Sequence, residues 1–291
     1  MSSKVIITGA SAGFGKLTTI TLLEKGHHVT ATMRGIDGRN KDVAQELEAK
    51  GATVVEMDVT HTESVDQGMH KAIESMGGLD VVINNAGRGV AGMQEHFTPE
   101  DFQQLFEVNV VGVQRVNRAA LPHLRKQRSG ILIHISSLLG RITLPFYGPY
   151  QASKWALEAM AENYRSELSA FGVQSLLVEP GGFPTTFVAN LMLPSDSSRN
   201  ESYGELMKVP EQMDASFEET LKNTPDQKPQ KVADAIADLL DTPADQRPFR
   251  TVVDFMPWRD GIQNYNEQFE ELTQGIYGAF GMGTMLKVNS N

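Results

Sequence analysis

Lys4-Val5-Ile6-Ile7-Thr8-Gly9-Ala10-Ser11-Ala12-Gly13-Phe14-Gly15 is the stretch whose reading decides the fold. Its first five residues are mostly apolar and β-branched. They lack the polar alternation of a half-exposed strand, so they read as a strand buried on both faces. A Gly-rich turn follows, and residues 13–25 then read as a helix closed by Gly26. A helix that starts straight after such a turn presents unpaired N–H groups and the positive end of its dipole. Glycines there let the backbone approach a pyrophosphate closely. The spacing is Gly-x-x-x-Gly-x-Gly, at Gly9, Gly13 and Gly15, and not the more familiar Gly-x-Gly-x-x-Gly. An ordinary strand-to-helix connection also uses glycine, so the surroundings must decide.

Outward from this stretch the pattern repeats. Residues 28–33 read as a strand, 40–50 as a helix closed by Gly51, and 52–57 as a strand. A helix over 63–76 and a strand over 79–83 come next. Thr98-Pro99-Glu100-Asp101 combines an N-cap residue, a proline at the first helical position and acids in the first turn. That predicts one long helix to about residue 126. A strand over 131–136, a helix from 149 to about 171 and a strand over 173–178 follow. This alternation, with continuously apolar strands, predicts an α/β class fold: a Rossmann-type, doubly wound parallel sheet in three α/β/α layers, forming a single domain over 1–291. The ligand crevice then lies at the carboxyl ends of the strands.

Beyond Pro180 the regularity weakens. Residues 187–228 carry Pro, Ser, Asn and Met around a helix near 211–222. A helix over 229–240, a strand over 251–255 and an extension from about 256, amphipathic in parts, complete the chain. The apolar Leu191-Met192-Leu193 beside Pro194-Ser195-Asp196-Ser197-Ser198 reads as a mobile substrate lid within 187–228.

Composition narrows the function. A chain that is 40% hydrophobic and 21% charged has enough apolar material for a core. Its net charge of −10 argues against a nucleic-acid partner, which needs a basic face. The absence of cysteine excludes disulfides, thiolate metal sites and cysteine nucleophiles. The seven histidines show no metal-ligand spacing, so no metal is expected. The N-terminus has no signal-peptide pattern, and no stretch approaches the length of a membrane span. A cytoplasmic protein without a membrane partner is expected.

Two local features carry chemistry. Tyr150-Gln151-Ala152-Ser153-Lys154 puts a tyrosine and a lysine four apart, on one face of a helix. A free phenol, with a pKa near about 10, is a poor base at neutral pH. A neighbouring ammonium and an oxidised nicotinamide both favour its phenolate. The second feature is Ala31-Thr32-Met33-Arg34, about 20 residues past the Gly turn, where dinucleotide folds read the adenosine ribose. An acid there would bond a 2′-OH. Met33 lacks that ability, whereas Arg34 can pair with a 2′-phosphate. NADP (NADPH) is therefore preferred, and NAD stays open through Asp37.

Further motifs stand in order around these. Asn84-Asn85-Ala86-Gly87 ends one strand, Val108-Asn109-Val110 lies in the long helix, Ser136-Ser137-Leu138 ends another strand, and Pro180-Gly181-Gly182-Phe183-Pro184-Thr185 follows the next. With Thr-Gly-x-x-x-Gly-x-Gly and Tyr-x-x-x-Lys, the sequence closely resembles the short-chain dehydrogenase/reductase family, in its compact branch. The resemblance covers residues 4–186 and continues more weakly to 255.

It implies roles. Tyr150 would exchange a proton with the substrate oxygen. Lys154 would lower the Tyr150 pKa and hold the nicotinamide ribose. Ser137 would bond the substrate oxygen, and Asn109 would kink its helix and anchor a water. Gly9, Ser11, Gly13, Phe14 and Gly15 would shape the cofactor loop. Asp58 and Val59 would meet the adenine, Asn85, Ala86 and Gly87 would line the cofactor, and Pro180, Gly181 and Thr185 would hold its nicotinamide end. Phe14 stands where the family usually has an aliphatic residue, and Ala12 where many NADP-dependent members have a basic one.

Near the reacting carbon the resemblance puts Val90, Met93, Leu138, Ile142, Phe146, Phe183, Phe187 and Met192. That apolar set points to a hydrophobic ketone, aldehyde or secondary alcohol, and so to a carbonyl reductase. The family resemblance also implies a homodimer or homotetramer. A cofactor-binding regulatory protein and a non-redox relative are the alternatives. The complete set of Asn109, Ser137, Tyr150 and Lys154 argues against the first, and Lys154 with the Gly loop against the second.

Overall fold

Strand β1 (Lys4–Thr8) runs into helix α1 (Gly13–Glu24) through the Gly turn, and the alternation continues. The computed structural model describes residues 2–288. In chain order come β2 (His28–Met33), α2 (Lys41–Ala49), β3 (Thr53–Glu56), α3 (Thr62–Met76) and β4 (Val81–Asn84). Then follow α4 (Pro99–Phe106), α5 (Gly112–Gln127), β5 (Gly130–Ile135), α6 (Gly148–Leu168) and β6 (Val173–Pro180). The last elements are α7 (Asn200–Tyr203), α8 (Val209–Lys222), α9 (Gln230–Asp241), β7 (Arg250–Val253) and α10 (Arg259–Ala279).

The strands form one seven-stranded sheet in the order β3-β2-β1-β4-β5-β6-β7, and every pairing is parallel. The apolar strands need cover on both faces, and alternate side chains show how it is supplied. Val5, Ile7, Val81 and Ile83 face one core with Leu22 of α1, Leu47 of α2 and Ile236 of α9. Ile6, Val82 and Leu132 face the other with Met69 of α3 and Val116 and Leu124 of α5. This is the doubly wound three-layer arrangement read from the sequence. The chain reverses its direction across the sheet between β1 and β4. That switch point opens a crevice above the strand ends.

One reading needs refinement and another correction. The helix expected from 98 to about 126 has helical backbone throughout. The capping box at Thr98 and Asp101 forms as expected, but a π-helical turn over Glu107–Val111 separates α4 from α5. The tail is more regular than its sequence indicates. It contains the 21-residue α10, although Gly261, Gly275 and Gly278 lower its intrinsic helix propensity. Among the described residues, no helix is long and apolar enough to cross a membrane.

Candidate active site

The floor of the crevice is set by close backbone approach. Gly9 has φ +68°, and a Cβ there would lie 2.8 Å from Ala86 Cα. A Cβ on Gly15 would lie 2.4 Å from both the Asn85 Nδ2 and the Gly9 carbonyl oxygen. Glycine is required at both positions for the β1–α1 turn to touch the loop after β4. Polar groups then lock the contact. The Asn85 and Ala86 N–H groups donate to Thr8 Oγ1 at 3.1 and 3.0 Å, and Asn85 Nδ2 donates to the Thr8 carbonyl at 2.8 Å. Thr8 was not singled out from the sequence; its place as the first residue of the Gly motif was the available signal. A Cβ on Gly13 would find only Thr185 Cβ nearby, at 3.9 Å. That side of the turn thus faces the loop after β6.

Farther along, Arg34 closes the end of β2. Its Nη1 lies 3.5 Å from Asp58 Oδ2, and the side chain is half exposed. Burial would push the Asp58 carboxyl up, but bonds from the Thr60 N–H and hydroxyl and the charges of Arg34 and His61 hold it below its ordinary value. Glu56 accepts from the N–H groups of Gly35 and Ile36 at 2.8 and 2.9 Å, which fixes the turn that carries Arg34. Val59 points elsewhere: its side chain is buried and packs on Gly112 of α5.

Tyr150 and Lys154 both lie buried near the start of α6. Lys154 Nζ donates to the Ile135 carbonyl, at the end of β5, at 2.7 Å and sits 5.6 Å from the Tyr150 ring centroid. Burial pulls the ammonium down to about 8, opposed by Glu158 one turn on. Burial likewise pushes the Tyr150 phenol up to about 12, opposed by a hydrogen bond with the Ser137 hydroxyl. In the protein by itself, desolvation outweighs the downward pull expected from Lys154, so Tyr150 stands as a phenol. Ser137 Oγ also caps a 3₁₀ turn over Leu138–Gly140 by accepting from the Leu139 N–H at 3.1 Å.

Asn109 lies inside the π-helical turn and is almost wholly buried. Its Oδ1 accepts from the Arg88 N–H at 2.8 Å, while its Nδ2 donates to the Arg88 carbonyl and to Ser153 Oγ, each at 2.9 Å. The extra residue of the π turn therefore aims the amide at the loop after β4 and at α6 together. Ser153 was missed from the sequence because serine inside a helix carries no mark of a partner 44 residues away.

The residues expected around the reacting carbon divide. Phe187 brings its ring centroid to 5.7 Å from that of Tyr150, and Leu138 is buried in the turn next to Ser137. Met192 exchanges backbone bonds with Gly89 and Ala91, which lays residues 187–195 over the loop after β4. Phe146 holds a left-handed φ of +72°, and its carbonyl accepts from the Gly92 N–H. Phe183 instead belongs to the core, where its ring meets Phe14 edge-on at 5.6 Å. Among the described residues, no group of three or more His, Asp or Glu side chains could hold a metal ion.

Comparison with known proteins places this arrangement. The sequence matches the short chain dehydrogenase family over residues 3–194. It is 37% identical, over 201 residues, to a 3-ketodihydrosphingosine reductase from Bacteroides thetaiotaomicron, covering 69% of this chain and 71% of that one. The fold is similar to a short-chain dehydrogenase from Streptomyces avermitilis, with a TM-score of 0.75, 29% identity and coverage of 97% and 99% of the two chains. It is also similar to an alcohol dehydrogenase from Thermococcus sibiricus in complex with 5-hydroxy-NADP, with a TM-score of 0.68, 28% identity and coverage of 87% and 96%. The chain belongs to the short-chain dehydrogenase family of oxidoreductases.

Proposed function

We propose that this chain is an NADP(H)-preferring carbonyl reductase that acts on a hydrophobic ketone or aldehyde, or in reverse on a secondary alcohol. The carrying observation is the buried Tyr150 phenol, whose upward shift the Ser137 hydroxyl opposes, with the Lys154 ammonium 5.6 Å from its ring centroid. When bound, the nicotinamide cofactor supplies or accepts the hydride. The turn from Gly9 to Gly15, including Ser11 and Phe14, would hold its pyrophosphate. Asp58 would meet its adenine side, and Val59 supports that loop from the core. Asn85, Ala86 and Gly87 would form the wall, and Pro180, Gly181 and Thr185 would hold the nicotinamide end.

The protein's own groups manage the proton. Ser137 Oγ donates to the carbonyl oxygen and fixes it against Tyr150. Tyr150 Oη then gives its proton to the oxygen that gains charge. A phenol pushed up by burial is protonated at neutral pH and so holds the proton that reduction of a carbonyl requires. Lys154 stabilises the phenolate left behind, held in place by the Ile135 carbonyl. Asn109 keeps the Arg88 backbone and Ser153 in register around this pair.

The substrate reading draws on Phe187 and Leu138 beside the reacting groups, and on similarity to a reductase named for a keto compound. Residues 187–228 are proposed as the lid, and the protein as a cytoplasmic homodimer or homotetramer. Purified protein incubated with NADPH and a panel of aromatic ketones tests the whole reading. It requires NADPH oxidation with equal formation of alcohol. Tight NADPH binding without turnover across the panel would indicate a regulatory protein, and no NADPH binding a non-redox relative.

The cofactor preference rests on Arg34, whose one ionic partner among the described residues is Asp58, at 3.5 Å. Arg34→Asp should move the ratio of kcat/KM values from NADPH toward NADH. A wild-type protein that already prefers NADH would reduce Arg34 to a surface cation.

A further inference from the structure

We infer that Asn266, on α10 and outside the segment that matches the family, is a positioning residue that braces both loops of the hydride-transfer site. The inference rests on the reading of Tyr150 and Ser137 as the reacting pair. Arg141 follows the Leu138–Gly140 turn, and its N–H closes that turn by donating to the Leu138 carbonyl at 2.9 Å. The place of Ser137 Oγ therefore depends on where Arg141 is held. The Arg141 side chain is buried, with its guanidinium 4.7 and 5.0 Å from the ring centroids of Tyr265 and Phe269 of α10. Its Nε donates to Asn266 Oδ1 at 2.8 Å.

The other end of the same amide reaches a different loop. Asn266 Nδ2 donates to Glu179 Oε2 at 2.6 Å. Glu179 is wholly buried in β6, next to Pro180, where the chain enters the 180–185 loop. One side chain thus joins the segment after β5 to the end of β6, and these two strands are neighbours in the sheet. A buried amide is costly unless both of its ends are bonded, and here both are.

Docking of α10 does not depend on this amide. Arg165 forms a two-point ion pair with Glu270 at 2.7 and 2.8 Å, and Ile262 is buried. Asn266 is accordingly free to serve orientation. A misplacement of about 1 Å at a reacting group can cost up to about 100-fold in rate.

The test uses the full-length protein. Asn266→Leu keeps the volume and removes both bonds, whereas Glu270→Gln weakens α10 docking and leaves Asn266 alone. Asn266→Leu should lower kcat for ketone reduction about tenfold or more, with affinity for adenosine 2′,5′-bisphosphate within about twofold of wild type. Glu270→Gln should keep wild-type kcat. Hydrogen exchange in the cofactor-free protein should quicken at 138–142 and 181–185 in Asn266→Leu and stay unchanged in β1 and β2. That readout needs no turnover, so it judges the brace even if no ketone proves to be a substrate. Unchanged exchange at both loops would overturn the inference. So would unchanged kcat in an active enzyme, or an equal loss of kcat in Glu270→Gln.

Discussion

Around the β1–β4 switch point, the cleft is held by backbone touching backbone. Gly9 abuts Ala86, Gly15 abuts Asn85, and neutral hydrogen bonds from the Asn85 and Ala86 N–H groups to Thr8 Oγ1 complete the contact. Around β6 and β7, it is held by long buried charges. Arg250 Nε lies 3.2 Å from both Glu158 and Glu179, its Nη2 pairs with Glu162, and Arg141 reaches Glu179 through Asn266. The first side tolerates almost no added volume but carries little charge. The second depends on charge balance. Burial pushes Glu179 up to about 8, with the nearby Glu158 adding to the shift and Arg250 opposing it.

Replacement of the shared cation separates these two modes most sharply. Arg250→Met leaves two buried carboxylates without their main partner and should cost about 3–5 kcal/mol of stability. A carboxyl whose pKa is higher folded than unfolded binds more protons in the native state. Stability therefore falls as pH rises between the two values, here from about 4.5 to about 8 for Glu179. The Tm deficit of Arg250→Met should widen over the same window, as thermal melts from acid to mildly alkaline pH would show. A pH-independent deficit would make the cluster a packing element only.

On the other side, Gly15→Ala should cost about 1–3 kcal/mol through overpacking and should also weaken NADPH binding, without any widening with pH. Calorimetric titration and melts together measure both effects. Unaltered cofactor affinity would mean that the close approach to Asn85 serves the core alone.

The smallest effect concerns the segment that bridges the two sides. Ser195 donates to Asp101 Oδ2 through its N–H at 3.1 Å and its hydroxyl at 2.8 Å, and Met192 pairs with Gly89 and Ala91. If residues 190–210 form a lid, their exchange should be fast in the free protein and slow with NADPH and a ketone inhibitor. Equal protection in both states would make the segment a fixed wall.

This contrast also explains what the sequence made legible. Gly9, Gly13 and Gly15 announce their turn because only glycine serves there, and the apolar strands announce the parallel sheet. Tyr150 and Lys154 are found because a helix fixes their spacing. By contrast, Glu158, Glu179, Arg141, Arg250 and Asn266 come from separate elements, and no local pattern unites them. The irregularity at Asn109 was expected only through the family resemblance, since its partners Arg88 and Ser153 lie far off in the sequence. Phe183 was misplaced for a related reason. Its neighbour in space is Phe14, from the far end of the chain order, and the two rings fill one part of the core.

The central claim is that Tyr150 transfers the proton that accompanies hydride transfer. Tyr150→Phe removes one oxygen from a buried ring and should leave the fold and NADPH binding intact. The decisive measurement is kcat for NADPH-dependent reduction of an aromatic ketone in this variant. The account predicts a loss of about 10²–10⁴-fold, the usual contribution of a general acid. A variant that keeps more than about a tenth of wild-type turnover would contradict it.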